Sequence, residues 1–207
     1  MKLYRLYGAF LLAVLSVAPV QANLLTNGSF EAGNLSGWTQ VLEPLSTATV
    51  FGSSPPFYAT YDGKWQLALS TANRNFASSY IYQDIATTIG DSYKVSFALR
   101  PGNAVFATFA VAVDGTSLGI WTPVDSIFNP SANPPVKDYQ LLSRTFTALS
   151  ATSRVAFYWV DNSTNWWLDN TDVTKVAAAA VPEPSVMLML GSGLMVMVAV
   201  RSRRRQS

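Results

Sequence analysis

The 207 residues contain no cysteine and no histidine. Lacking histidine, the chain has no usual zinc ligand set, no Ser-His or Cys-His triad and no ready general base. Across residues 23–184 eight Lys and Arg stand against all 12 Asp and Glu, a balance of −4, so the positive surface that nucleic acid needs is missing.

At the N-terminus Lys2 and Arg5 precede an apolar stretch over 6–20, and Val20 and Ala22 supply the small or neutral residues before a cut. This pattern predicts a secretory signal peptide over 1–22, cleaved between Ala22 and Asn23 and delivered through the Sec translocon. A retained N-terminal membrane helix is the alternative. Without cysteine, an exported domain must be held by core packing, or with the help of a metal.

About 160 residues remain between the two ends, enough for one domain with a sizeable core. They read as β throughout. Tyr80 to Ile85 is a candidate strand. In SYKVSFALR, Tyr93, Val95, Phe97 and Leu99 alternate with polar or small residues, the period-2 signature of a half-buried strand. Phe109, Val111 and Val113 lead into Asp114-Gly115 and a second run to Trp121, which predicts a hairpin with a type I′ turn. Gln140 to Thr147 is a further candidate, and RVAFYWV alternates Val155, Phe157 and Trp159 with Ala156 and Tyr158. Residues 52–58 and 128–135, rich in Pro and Ser, read as loops. Short strands with frequent turns predict two packed antiparallel sheets, a sandwich or jelly roll over 23–176. The alanines of 177–181 form a spacer.

Six tryptophans occur in the chain. Trp38 and Trp159 are assigned to the core. Trp65, Trp121, Trp166 and Trp167 are candidate platforms for sugar rings, whose C–H faces stack on aromatic side chains. Trp166 and Trp167 are adjacent and on a strand must face opposite ways, so one faces outward unless a loop covers it.

At the C-terminus, 186–200 is a run of 15 uncharged residues. A helix of that length spans roughly 22 Å against a hydrocarbon core of roughly 30 Å. Arg201, Arg203, Arg204 and Arg205 follow and hold that end in the cytoplasm. The alternatives are a plain membrane anchor or an amphipathic core helix, and the run has no polar face to support the latter.

Pro182-Glu183-Pro184, a short apolar run and an arginine cluster, in that order behind a signal peptide, resemble the PEP-CTERM sorting signal of Gram-negative bacteria. The resemblance implies a tail (182–207) recognised by an exosortase and cleaved near the Pro-Glu-Pro motif. The protein is then membrane-tethered only transiently and is released towards the surface. The methionines at 187, 189, 195 and 197 are unusual for such tails.

The opening NLLTNGSFEAGNLSGW and the closing WWLDNTDV, with YDGKWQLALS and the strands between them, resemble the galactose-binding-domain-like jelly roll of many carbohydrate-binding modules. Thr171 and Asp172 depart from the usual closing pattern. The resemblance implies a structural calcium tying the first strand to the last. Glu31 and Asp169 would be its ligands, and backbone carbonyls near 27–29 would complete a shell of hard oxygens. A surface carboxylate at Glu31 and a strand-end acceptor at Asp169 are the alternatives, since no dense Asp-x-Asp loop proposes calcium by itself.

The function expected is a non-catalytic protein of the cell surface or extracellular matrix that associates with exopolysaccharide. The rivals are a matrix or biofilm component acting through protein contacts and a glycan-active hydrolase. No motif among the acids selects the carboxylate pair that a hydrolase needs.

Overall fold

The computed structural model describes residues 21–53, 59–71, 78–102, 107–123, 139–160 and 165–177. Among these residues ten strands form: β1 (Thr39–Val41), β2 (Ser46–Gly52), β3 (Trp65–Thr71), β4 (Ser79–Ala86), β5 (Ser92–Arg100), β6 (Thr108–Val113), β7 (Thr116–Trp121), β8 (Gln140–Thr147), β9 (Thr152–Val160) and β10 (Asn165–Lys175). They make two five-stranded sheets, ordered β1-β4-β9-β6-β7 and β2-β3-β10-β5-β8. Every strand pair is antiparallel. The all-β sandwich expected from the sequence is the fold, with strands crossing repeatedly between the sheets.

Alternation dictates which side chains meet between the sheets. Val95, Phe97 and Leu99 of β5, Phe109 and Val111 of β6, and Val155 and Phe157 of β9 are fully buried. Phe97 sits 5.4 Å from both Phe157 and Trp121, edge to face in each case. Phe109 lies 5.7 Å from Trp166, and Trp38 lies 5.9 Å from Phe157. Each such buried side chain stabilises the fold by about 1.5–3 kcal/mol, and each aromatic pair adds about 0.5–1.5 kcal/mol. Trp38 and Trp159 are in the core as expected. Asp114 and Gly115 have φ of 50° and 79°, so the β6–β7 turn takes the left-handed backbone that its sequence foretold.

The opening segment is not a strand. Asn27, Phe30, Gly33 and Gly37 have φ of 52°, 60°, 69° and 86°, which turns the chain repeatedly before β1 begins at Thr39. The segment is nevertheless fixed to the last strand. Asn23 Nδ2 donates to the Thr171 carbonyl at 3.0 Å, and Asn23 Oδ1 accepts from Val173 N at 2.9 Å. Thr171 N and Oγ1 both donate to the Gly28 carbonyl, at 2.9 and 2.7 Å. Thr171 is free to do this because the register of β10 on β5 shifts between Asp169 and Asp172, with Asn170 at φ 47°. The departure from the usual closing motif is therefore a β-bulge that aims Thr171 at the opening segment.

The chain divides into two compact units between Lys175 and Val176. Residues 1–20, the sorting tail 182–207 and the loop 128–135 lie outside the described residues, as do 54–58 and 178–181. Among the described residues no helix is long and apolar enough to cross a membrane.

Candidate functional site

The two carboxylates expected to share an ion grip one loop. Glu31 accepts from Lys64 N at 3.0 Å and Trp65 N at 2.9 Å. Asp169 Oδ2 accepts from Tyr61 N at 2.8 Å and Asp62 N at 3.1 Å, while Oδ1 takes Asn170 N at 2.7 Å. Gly63 passes so close beneath Glu31 that an added Cβ would stand 2.3 Å from the carboxyl carbon. Asp169 is fully buried. Burial pushes its carboxyl up to about 6, opposed by the amides of Asp62, Asn170 and Tyr61 and assisted by the charge of Glu31.

Neither carboxylate is in an ion pair among the described residues. Each retains lone pairs, and two unneutralised hard-oxygen donors beside one loop suit calcium. Of the carbonyls expected to complete the shell, two are already engaged: Asn27 O accepts from Phe30 N and Trp38 Nε1, and Gly28 O takes two donors from Thr171. No group of three or more Asp or Glu assembles among the described residues.

Two of the four tryptophans expected as sugar platforms lie in the core instead. Trp121 and Trp166 are 4% and 1% exposed, because alternation turns both toward the core aromatics. Trp167 does face away from the core, on the far side of the second sheet. It is only 8% exposed there, with Phe51 edge-on at 6.0 Å and the Arg100 guanidinium 5.1 Å from its ring. Trp65 is half-buried, its ring against the backbones of Gly33 and Gly52.

An open aromatic surface exists elsewhere, on the outer face of the first sheet. In β4, Ile81, Gln83 and Ile85 are buried, so Tyr80, Tyr82 and Asp84 point out; in β9 the outward set is Arg154, Ala156 and Tyr158. Register aligns Val41, Tyr80, Tyr158, Ala110 and Ile120 in one row across all five strands. Thr39, Tyr82, Ala156, Ala112 and Ser117 form the next. Tyr80 and Tyr158 stack with centroids 4.7 Å apart, and Tyr80 lies 6.1 Å from Tyr82. The small side chains of Ala110 and Ala112 drop the surface beside the tyrosines, and Ile120, 63% exposed, rises beyond them.

The same face carries charge at one end. Arg154 holds Asp84 through two contacts, Nε to Oδ1 at 2.7 Å and Nη2 to Oδ2 at 2.9 Å, and lies 3.9 Å from the Tyr82 centroid. The guanidinium holds the Asp84 carboxyl below the usual carboxylate range. Asp114, at the hairpin turn, accepts the backbone N–H of Arg154 on Oδ1 at 2.7 Å. Tyr80, Tyr158, Asp84, Arg154, Asp114, Gly115 and Thr152 line a cleft of about 490 Å³. Sequence reasoning follows the tryptophans and passes over this face. The signal is present in SYIYQDIA and RVAFYWV, where large tyrosines occupy solvent positions.

A PEP-CTERM protein-sorting motif matches residues 180–205, and it implies export to the cell envelope or surface with exosortase processing. No curated protein matches the chain in sequence. Among solved structures, the carbohydrate-binding module TmCBM61, in complex with beta-1,4-galactotriose, is similar at 14% identity and TM-score 0.52, over 75% of this chain and 99% of that one. The CBM22-1 xylan-binding domain of Paenibacillus barcinonensis Xyn10C is similar at 15% identity and TM-score 0.51, over 79% and 100%. The enzymatically active domain of Bacteriophage CBA120 tailspike protein 4 shows 15% identity and TM-score 0.51, over 74% of this chain but only 21% of the tailspike chain. The likeness shows a shared fold, the two-sheet antiparallel β-sandwich.

Proposed function

We propose that this is an exported protein of the cell surface or extracellular matrix whose sandwich binds polysaccharide, without catalysis, on the tyrosine face of the first sheet. The carrying observation is the stacked Tyr80–Tyr158 pair, which lines the cleft. Ring C–H faces stack on such aromatics, and hydroxyls donate to carboxylates placed alongside. The sorting motif implies export to the cell envelope or surface, which supports a ligand met outside the cell. The galactotriose and xylan named for the two binding-module neighbours support a glycan as the ligand class. Glycan cleavage requires a carboxyl that keeps its proton. Asp84, depressed by Arg154, favours binding over that role.

In this reading residues 1–22 are removed after passage through the Sec translocon. The tail 182–207 serves exosortase, and membrane contact is confined to a transient span over 186–200. Glu31 and Asp169 hold a structural calcium together with water and loop oxygens, bracing the loop over 61–65. A glycan array with the mature domain tests the function. Binding to at least one polysaccharide supports it, whereas no glycan signal together with concentration-dependent self-association favours a purely structural matrix protein. Release of reducing sugar would revive the hydrolase.

A further inference from the structure

We infer that the charged end of the cleft is a specificity filter that admits uncharged glycans and rejects acidic ones, with Asp84, Arg154 and Asp114 as its determinants. This inference rests on the polysaccharide-binding reading of the same face. Among the described residues Arg154 is the one cation lining the cleft, and its Nε and Nη2 are both committed to Asp84. Its guanidinium also lies over Tyr82, so two of its three nitrogens and one face are engaged within the protein. Asp114 adds a second negative charge. Its Oδ1 is taken by the Arg154 amide, and Oδ2 has no protein donor among the described residues. Two carboxylates against one guanidinium leave the lining at net −1. Like charge opposed across such a surface disfavours a uronate or sulfated sugar.

The filter also selects positively. An ionised carboxylate only accepts hydrogen bonds, so Asp114 Oδ2 calls for a donor such as a sugar hydroxyl. Its aim is fixed on both sides: Asp114 N donates to the Arg154 carbonyl at 3.0 Å, and the turn holds Asp114 at φ 50°. A neutral oligosaccharide with one ring against Tyr158 and a hydroxyl of a further sugar unit toward Asp114 uses both features. A polyuronate would place carboxylates against carboxylates.

The test is a titration of the mature domain with neutral polysaccharides (galactan, xylan, glucan) and with polyuronates (alginate, polygalacturonate), at low and high salt. A neutral glycan should bind with an affinity that changes by less than about twofold with salt, since no charge on the ligand is screened. Asp114→Asn keeps a residue that tolerates the left-handed turn, so the fold is retained. It should weaken neutral-glycan binding about tenfold, as expected for losing a hydrogen bond to a charged acceptor. Asp84→Asn frees the guanidinium, and the Asp84→Asn/Asp114→Asn double variant turns the lining to +1 and should gain polyuronate binding that salt abolishes. Wild-type protein that prefers polyuronates, or variants that bind as wild type does, would overturn the filter while leaving polysaccharide binding intact. Wild-type protein that binds no member of the panel would overturn both.

Discussion

Glu31, from the opening turns, and Asp169, from the last strand, grip consecutive amides of one loop: Lys64 and Trp65 go to Glu31, Tyr61 and Asp62 to Asp169. The two ends of the domain are thereby joined through a third segment. Removing the Glu31 carboxylate leaves two amides without their acceptor. Hydrogen bonds to charged groups contribute about 1.5–3 kcal/mol each, less where water can substitute. Glu31→Ala should therefore lower stability by about 1–2 kcal/mol, read from urea unfolding midpoints in the presence of a chelator. An unchanged midpoint would show that the loop does not depend on this contact.

Calcium should raise the melting temperature of the wild-type domain and leave Glu31→Ala unmoved, because an ion that binds only the folded state stabilises by mass action. A gain of about 2.7 kcal/mol is expected at an ion concentration a hundred times the dissociation constant. Equal melting curves with calcium and with chelator would remove the ion from the proposal and leave the two carboxylates as loop clamps alone.

The protonation of Asp169 gives stability a pH dependence with a definite sign. In the folded chain its carboxyl is pushed up to about 6, whereas in the unfolded chain it titrates near the ordinary value of about 3.9. Between these values the folded state holds a proton that the unfolded state has lost. Its contribution is thus fully present below about pH 4 and is lost as pH rises through about 6. Asp84, depressed by Arg154, acts oppositely and is lost as pH falls, but this exposed pair contributes little. In chelator, Asp169→Asn should flatten the fall in stability between about pH 4 and pH 6. A variant with the wild-type slope would mean that Asp169 titrates normally.

Much of the fold is legible in the residue pattern, and the rest is hidden for physical reasons. In β5 and β9 one face is buried more fully than the other, so alternation shows through. In β3, Gln66 and Ala68 are buried as well as Leu67 and Leu69, and with both faces covered the period-2 pattern vanishes. The Asp114-Gly115 turn is readable because its backbone demands particular residues. The bulge at Asn170 and Thr171 shows only as a departure from an expected motif, since its purpose depends on Gly28 far away in the chain. The tyrosine face escapes a reading that ranks tryptophan above tyrosine as a sugar platform. Burial follows strand phase rather than residue type, and Trp166 is in phase with the core.

Processing is read from mass. Native protein should begin at Asn23 and end near 182–184, without the arginine-rich tail. An intact tail on surface material would indicate a permanent anchor.

The most direct test of glycan binding on the tyrosine face is an amide chemical-shift map of the labelled mature domain, titrated with a polysaccharide fragment that it binds. Shifts should concentrate in β4, β6 and β9 around Tyr80, Ala110 and Tyr158, and Tyr158→Ala should abolish them with the fold intact. Shifts concentrated instead around Trp65 and Trp167, or along the loop over 61–65, would contradict it.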